Sequence, residues 1–268
     1  LILPSLNIAS SDERAAMSAE QLTQVIKAEL DAVMVPYVGM ACVLVLIWLA
    51  IAFTKTPNFC KQKKVSKHVD FRATFKRLFK NKHYRFGVIA QFFNVAAQTC
   101  VWTFTIQYVM EALDTNEVTG GTFLQYSMIT FLFSRFVMTW LMGFIRPAKL
   151  LMATSVIATL LCLYMVQMPT ISGVWALVCI SACLSLMFPT IYAISLHGLG
   201  DDAKLGAAGL VMAILGGAIV PVVQAVFIDT FSVAFSYIVP AGCFIIVAGY
   251  AAFDLKTKIR TFNNVAPC

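Results

Sequence analysis

The chain has 268 residues, 60% of them hydrophobic and only 12% charged, with a formal net charge of +7. Soluble globular domains are about 45–50% apolar and about 25% charged. With a mean hydropathy of +0.81, this chain carries more apolar surface than a water-soluble fold hides, which argues against a soluble enzyme or a disordered chain and for a polytopic membrane protein.

A membrane-crossing helix needs about 20 apolar residues, and the sequence predicts an all-α integral membrane fold with seven such helices. The start, Leu1-Ile2-Leu3-Pro4, has no initiating Met and no signal peptide. It reads as the tail of an earlier span, so the chain is expected to be an N-terminally truncated fragment. Residues 1–32 are then the end of a preceding helix and an extracytoplasmic loop. Within it Ser18-Ala19-Glu20-Gln21 has a capping-box pattern ahead of Leu22, Val25 and Ile26, which predicts a short amphipathic helix outside the bilayer, a solvated loop being the alternative. The first span is residues 33–53.

Residues 54–85 hold eleven of the twenty Lys and Arg and one acidic residue, Asp70. In a soluble protein such a block points to nucleic acid. Between two apolar spans it predicts a cytoplasmic loop near anionic lipid, with no nucleic-acid partner. Asp70 is placed to cap a helix with Phe71, Phe75, Leu78 and Phe79 on one face and Arg72, Lys76, Arg77 and Lys80 on the other, a basic helix lying on the membrane surface. Six further spans, about 86–110, 122–145, 149–167, 173–197, 207–228 and 233–253, make residues 86–253 a six-helix bundle, and 254–268 a cytoplasmic tail. With 54–85 inside, alternation gathers seventeen of the twenty Lys and Arg on the cytoplasmic side. The positive-inside rule thus puts the N-terminus outside and the C-terminus inside. Six of the eight cysteines fall in apolar spans, and no CxxC pair or His cluster is present, so no metal or cofactor is expected.

Polar side chains at membrane depth face a cavity or a partner helix. In the second span Gln91, Asn94, Gln98, Trp102 and Thr105 fall within ~80° of one helix face at 100° per residue. Amides beside an indole suit a polyhydroxy ligand, the amides exchanging hydrogen bonds with hydroxyls and the ring covering the C–H face of a sugar. Interhelical hydrogen bonding is the plainer alternative. In the fifth span Ser181, Ser185, Phe188, Tyr192 and Ser195 share a face interrupted by Pro189, which frees backbone carbonyls; a packed, kinked helix is the alternative. Gly206, Gly209, Ala213, Gly216 and Gly217, followed by Pro221, give the sixth span a close-packing surface, which a sliding or bending helix needs as well. Arg135, one turn after Phe131, is the one charge well inside a span. It is expected to snorkel toward the cytoplasmic end or to pair with a carboxylate, in a structural role at an inner gate. Asp201, Asp202 and Lys204 are candidates for inner-face ion pairs that break on opening. All thirteen acidic residues lie in loops or near span ends, so the chain offers no mid-membrane proton carrier.

The run Ala90-Gln-Phe-Phe-Asn-Val-Ala-Ala-Gln-Thr-Cys-Val-Trp102 resembles the seventh helix of the fucose:proton symporter branch of the major facilitator superfamily. Phe188-Pro-Thr-Ile-Tyr192, Leu199-Gly-Asp-Asp-Ala-Lys-Leu-Gly206 and Val211-Met-Ala-Ile-Leu-Gly-Gly217 are similar as well, and Ser134-Arg135 with Thr139-Trp140-Leu141 resembles its eighth helix. The resemblance implies twelve helices in two halves, of which this chain matches helices six to twelve, with residues 1–8 at the end of helix five. It implies a sugar cavity between the halves, lined here by helices seven, eight, ten and eleven, with Trp102, Phe131 and Phe188 as aromatic lining and Gln91 and Gln98 as polar stripe. It also implies that the proton-titrating carboxylates belong to the first half. Asn94, Phe188 and Ala207-Ala208 depart from the common pattern and leave the sugar open.

The expected function is therefore the C-terminal portion of a proton-coupled monosaccharide transporter working by alternating access. The substrate would be L-fucose or a related hexose such as glucose or galactose. The protein would be a monomer when full length, embedded among lipids of a bacterial cytoplasmic membrane, and not an enzyme; the chain alone is not expected to transport. Substrate contacts are assigned to Gln91, Asn94, Gln98, Trp102, Thr105, Phe131, Phe188 and Tyr192. Gating or structural roles go to Arg135, Pro189, Asp201, Lys204, Gly216, Gly217 and Pro221. A seven-helix receptor or another non-transport membrane protein is the alternative.

Overall fold

The computed structural model describes residues 19–53 and 71–263, and every regular element among them is helical. The expected end of a preceding helix, the Ser18 cap, most of the basic loop with Asp70, and the last five residues lie outside the described residues, as does the side chain of Asp201. The chain divides into two compact units, residues 1–68 and 69–268.

In the first unit a single helix, α1, runs Ala19–Phe53. The expected outer amphipathic helix and the first span are continuous. Residues 21–33 are mostly good helix formers, and Pro36 inside the helix removes one N–H without ending it. Its stretch Pro36–Phe53 is apolar enough to cross a membrane.

The second unit begins with α2, Phe71–Lys80. Thr74 and Leu78 are buried, whereas Phe75 and Phe79 are exposed with their rings stacked at 6.0 Å. Next come α3 (Lys82–Thr103), α4 (Thr105–Leu113), α5 (Glu117–Leu141), α6 (Pro147–Gln167) and α7 (Ile171–Leu196). A 3-10 turn at Gly200–Asp202 leads into α8 (Ala203–Met212); a second, Ala213–Leu215, leads into α9 (Gly216–Thr230); then follow α10 (Val233–Ser236) and α11 (Ile238–Asn263). Local chemistry sets the boundaries. Asn81 caps α3 by accepting from the His83 and Tyr84 N–H groups, and Asn116 caps α5 by accepting from Thr119. Asp114 ends α4 in a left-handed conformation at φ 49°, and Pro147 opens α6 at a position where its missing N–H has no helical partner.

Five stretches of the described residues are long and apolar enough to cross a membrane. The predicted second and third spans, α3–α4 and α5, are not among them. Length is not the reason, since α5 alone extends about 37 Å. These two helices carry the polar side chains, among them Gln91, Asn94, Gln98, Gln125, Ser127 and Arg135.

Helix α3 lies at the centre, packed against α7, α9 and α11, while α6 joins α7 to α11 and α5 flanks α7. Close approach of helices, rather than exclusion of water, holds such a bundle together in lipid. Gly216 and Gly217 supply it. A Cβ at Gly216 would overlap the Phe92 carbonyl oxygen, and one at Gly217 would lie 2.6 Å from Thr99 Oγ1. Pro221 continues α9 without ending it.

Candidate functional site

Helix α3 presents Val95, Gln98, Thr99, Trp102 and Thr103 to a cavity of about 410 Å³. Phe131 and Arg135 of α5 form a second wall, Leu184, Ser185 and Phe188 of α7 a third, and Ile214 of the 3-10 turn between α8 and α9 closes the fourth. The Trp102 indole N–H donates to Ser181 Oγ at 3.3 Å, and its ring meets Phe131 edge-on with centroids 5.1 Å apart. The indole is thus fixed from two neighbouring helices. Pro189 has no N–H, so the helical partner of the Ser185 carbonyl is missing within α7. Ser185 Oγ donates to Ala182 O at 2.7 Å.

The predicted stripe is divided along its length. Gln98 and Trp102 reach the cavity. Gln91 and Asn94, two and one turns toward the start of α3, are fully buried outside it, and neither amide has a hydrogen-bond partner among the described residues. Thr105 follows the break in the helix at Phe104; it is fully buried and donates to Val101 O at 2.7 Å. Tyr192 stacks on Phe188 with centroids 6.4 Å apart and packs toward Leu78, Tyr84 and Leu210, beyond the lining. Phe131 and Phe188 do line the cavity.

Arg135, expected in a gating or structural role, lines the cavity beside Phe131. A spacing of four residues on a helix puts both on one side, so the signal was present in the sequence. Thr99 and Thr103, each one residue beyond a predicted contact, widen the α3 face. They lie just outside the narrow polar stripe, so its spacing does not mark them.

Asp202, one of the three ion-pair candidates, is paired, but with Arg77 rather than Lys204. Arg77 of α2 grips Asp202 in a bidentate contact, Nε to Oδ2 at 3.0 Å and Nη2 to Oδ1 at 2.8 Å, and also donates to Thr74 Oγ1 at 3.0 Å. The planar guanidinium matches both carboxylate oxygens, which an ammonium does not; Lys204 is exposed. The hydrogen bonds from Arg77 hold the Asp202 carboxyl below its ordinary range.

No family model matches the chain. It is 38% identical over 224 residues to the L-fucose-proton symporter of Haemophilus influenzae, an alignment covering 80% of this chain and 51% of that protein. It is 34% identical over 262 residues to the L-fucose-proton symporter of Escherichia coli, covering 96% of this chain and 59% of the relative. A glucose/galactose transporter of Brucella abortus is 26% identical over 234 residues, covering 87% and 56%. The crystal structure of the major facilitator superfamily transporter FucP in the outward conformation superposes with a TM-score of 0.79 at 32% identity, covering 94% of this chain and 62% of that one. The chain thus spans between about half and three fifths of the length of the proteins it matches. Kinship with transporters over nearly all of the chain also sets the receptor alternative aside. The chain is a homologue of the L-fucose-proton symporters and has the all-helical fold of the C-terminal half of these multi-pass membrane transporters.

Proposed function

We propose that this chain forms one wall of the sugar pathway in a proton-coupled monosaccharide transporter of a bacterial cytoplasmic membrane. The substrate is L-fucose or a hexose of the glucose/galactose kind. The supporting observation is the composition of the cavity: one amide, two threonines, a serine and a guanidinium interleaved with the rings of Trp102, Phe131 and Phe188. Hydroxyl-rich ligands need donors and acceptors around their rim and flat apolar surfaces against their C–H faces. Small-ligand sites generally occupy about 300–1,000 Å³, which the cavity meets.

In this reading Gln98 exchanges hydrogen bonds with ring hydroxyls, the indole of Trp102 stacks on the sugar, and Arg135 donates from the inner end. Coupling to protons requires a titrating group on the pathway. None of the lining residues is a carboxylate or a histidine, so the coupling group is assigned to the facing half of the transporter. The clustering of basic residues supports a cytoplasmic side for 54–85 and the C-terminal tail.

A chimaera joining residues 86–268 to the N-terminal portion of the Escherichia coli L-fucose-proton symporter tests the proposal, by sugar binding and sugar-driven proton uptake in vesicles. Loss of one hydrogen bond to a neutral ligand costs roughly 0.5–1.5 kcal/mol, so Gln98→Ala should weaken sugar binding about 2- to 10-fold, and Trp102→Ala at least as much. A chimaera that inserts but binds neither fucose nor glucose nor galactose refutes the assignment. Unchanged affinity in both variants removes these residues from the pathway.

A further inference from the structure

A second groove lies on the back of the bundle. It has a volume of about 360 Å³ and is lined by Phe86 and Ile89 of α3 and by Ile246, Gly249, Tyr250 and Phe253 of α11. At 100° per residue along the unbroken α3, Phe86 and Ile89 lie roughly 120–180° round the helix from Gln98 and Trp102. The groove therefore faces away from the cavity, and Phe86, Ile89 and Ile246 are 40%, 42% and 38% exposed. The Phe86 and Phe253 rings meet edge-on at 5.1 Å across it.

One end of this apolar groove is basic. Lys82 precedes Phe86 by four residues and Ile89 by seven, so it continues the same stripe one turn further along α3. Arg85 holds its guanidinium carbon 5.9 Å from the centroid of the Phe86 ring. Lys256 follows Phe253 by three residues on α11, and all three cations are exposed. The acidic residue nearest in sequence, Asp254, is turned inward: its Oδ1 lies 2.7 Å from His83 Nε2 and its side chain is 1% exposed. It does not stand among the cations at the mouth.

An apolar trough between two helices that ends in three cations matches an amphiphile with an acyl chain and an anionic head. We infer that this groove binds an acidic glycerophospholipid of the adjacent leaflet, with the acyl chain between Phe86, Ile89, Ile246 and Gly249 and the phosphate held by Lys82, Arg85 and Lys256. The site is separate from the sugar cavity and on the opposite side of α3.

Native mass spectrometry of the purified protein, titrated with phosphatidylglycerol or with phosphatidylcholine, provides the test. Each interfacial cation contributes about fivefold to the binding of an acidic lipid. Lys82→Gln, Arg85→Gln and Lys256→Gln together should therefore weaken phosphatidylglycerol about a hundredfold and abolish its advantage over phosphatidylcholine. A Cβ at Gly249 meets nothing within 4 Å, so Gly249→Phe fills the trough without disturbing the helix. It should displace the lipid while all three charges remain, whereas Gly249→Ala should retain it. Equal retention of the two lipids by the unmodified protein overturns the inference. So does wild-type binding in Gly249→Phe, or displacement of the lipid by millimolar inorganic phosphate, which would mark a simple anion site. Should Gly249→Phe fail to fold, the charge variants decide alone.

Discussion

Replacing Gly216 with alanine tests the packing that frames the cavity. The added methyl would overlap the Phe92 carbonyl oxygen, with the carbonyl carbon at 2.9 Å and the ring Cγ at 3.1 Å. The obstructing atoms belong to the backbone of α3, which cannot rotate aside as a flexible side chain can. Helix α9 has to withdraw by about 1 Å, and overpacking of this kind costs about 1–3 kcal/mol. At about 2–4 °C per kcal/mol for a protein of this size, the midpoint should fall by about 2–12 °C. Gly242 on α11 is the control. A methyl there meets nothing within 4 Å, so Gly242→Ala should be neutral or stabilising by up to about 1 kcal/mol through helix propensity. Cys100, Cys162, Cys183 and Cys243 are buried, whereas Cys42 and Cys179 are exposed. A thiol-reactive fluorogenic dye followed during heating therefore reports unfolding above a constant baseline. Equal midpoints for Gly216→Ala and Gly242→Ala would refute the close approach of α9 to α3.

The same assay should show Gln91→Met and Asn94→Leu stabilising the bundle by about 1–3 kcal/mol each, since each removes buried amide atoms that have no hydrogen-bond partner among the described residues. A lower midpoint would reveal that these amides are satisfied by a partner within the assembled transporter. The Arg77–Asp202 clasp should be insensitive to pH from 8 down to 5. The Asp202 pKa is depressed on folding, so its contribution is present above the ordinary carboxylate pKa and disappears only as pH falls through the lowered value. Spin labels at positions 76 and 204 should give one narrow distance over that range, and a broad one at all pH values in Arg77→Gln. Broadening of the unmodified clasp between pH 8 and 5 would contradict this sign.

Helical phase made the cavity face legible. Gln98, Trp102, Phe131 and Phe188 could be placed from spacing and resemblance, because angular position on a helix follows from residue number. Depth along the helix does not. Gln91 and Asn94 share the angle of Gln98, yet they sit where neighbouring helices close around α3. Pairing between helices was equally hidden. Arg77 and Asp202 are 125 residues apart, and nothing local distinguishes Asp202 from Asp201 as the partner. Trp102 and Ser181 were each singled out on their own helix, but their hydrogen bond depends on how α3 and α7 are set against each other. The continuity of α1 was missed for a different reason. Polar composition does not mark a boundary here, because residues 21–33 have helix propensities that allow the apolar span to extend backward.

The tight fit of α3 against its partners has one physical origin. Between Tyr84 and Thr99, about 22 Å of helix, the approach of partners is set by glycines. A Cβ at Gly209 would strike the Tyr84 hydroxyl, which donates to Gly206 O at 2.9 Å; one at Gly87 would strike Ser195 Oγ; those at Gly216 and Gly217 would meet Phe92 and Thr99. Helices α7, α8 and α9 thus meet α3 where one side of the interface has no side chain, and close packing there resists compression. Alongside the end of that stretch, on the face of α3 that bears Val95, Gln98, Thr99, Trp102 and Thr103, the partners bear Phe131, Phe188 and Ile214, and the cavity lies between them. The bundle is thus held tight at the glycine contacts and left open on the face of α3 beside them. Its helical breaks at Phe104 and at Ala213–Leu215 both flank the cavity, where local bending would change its width without undoing the glycine contacts.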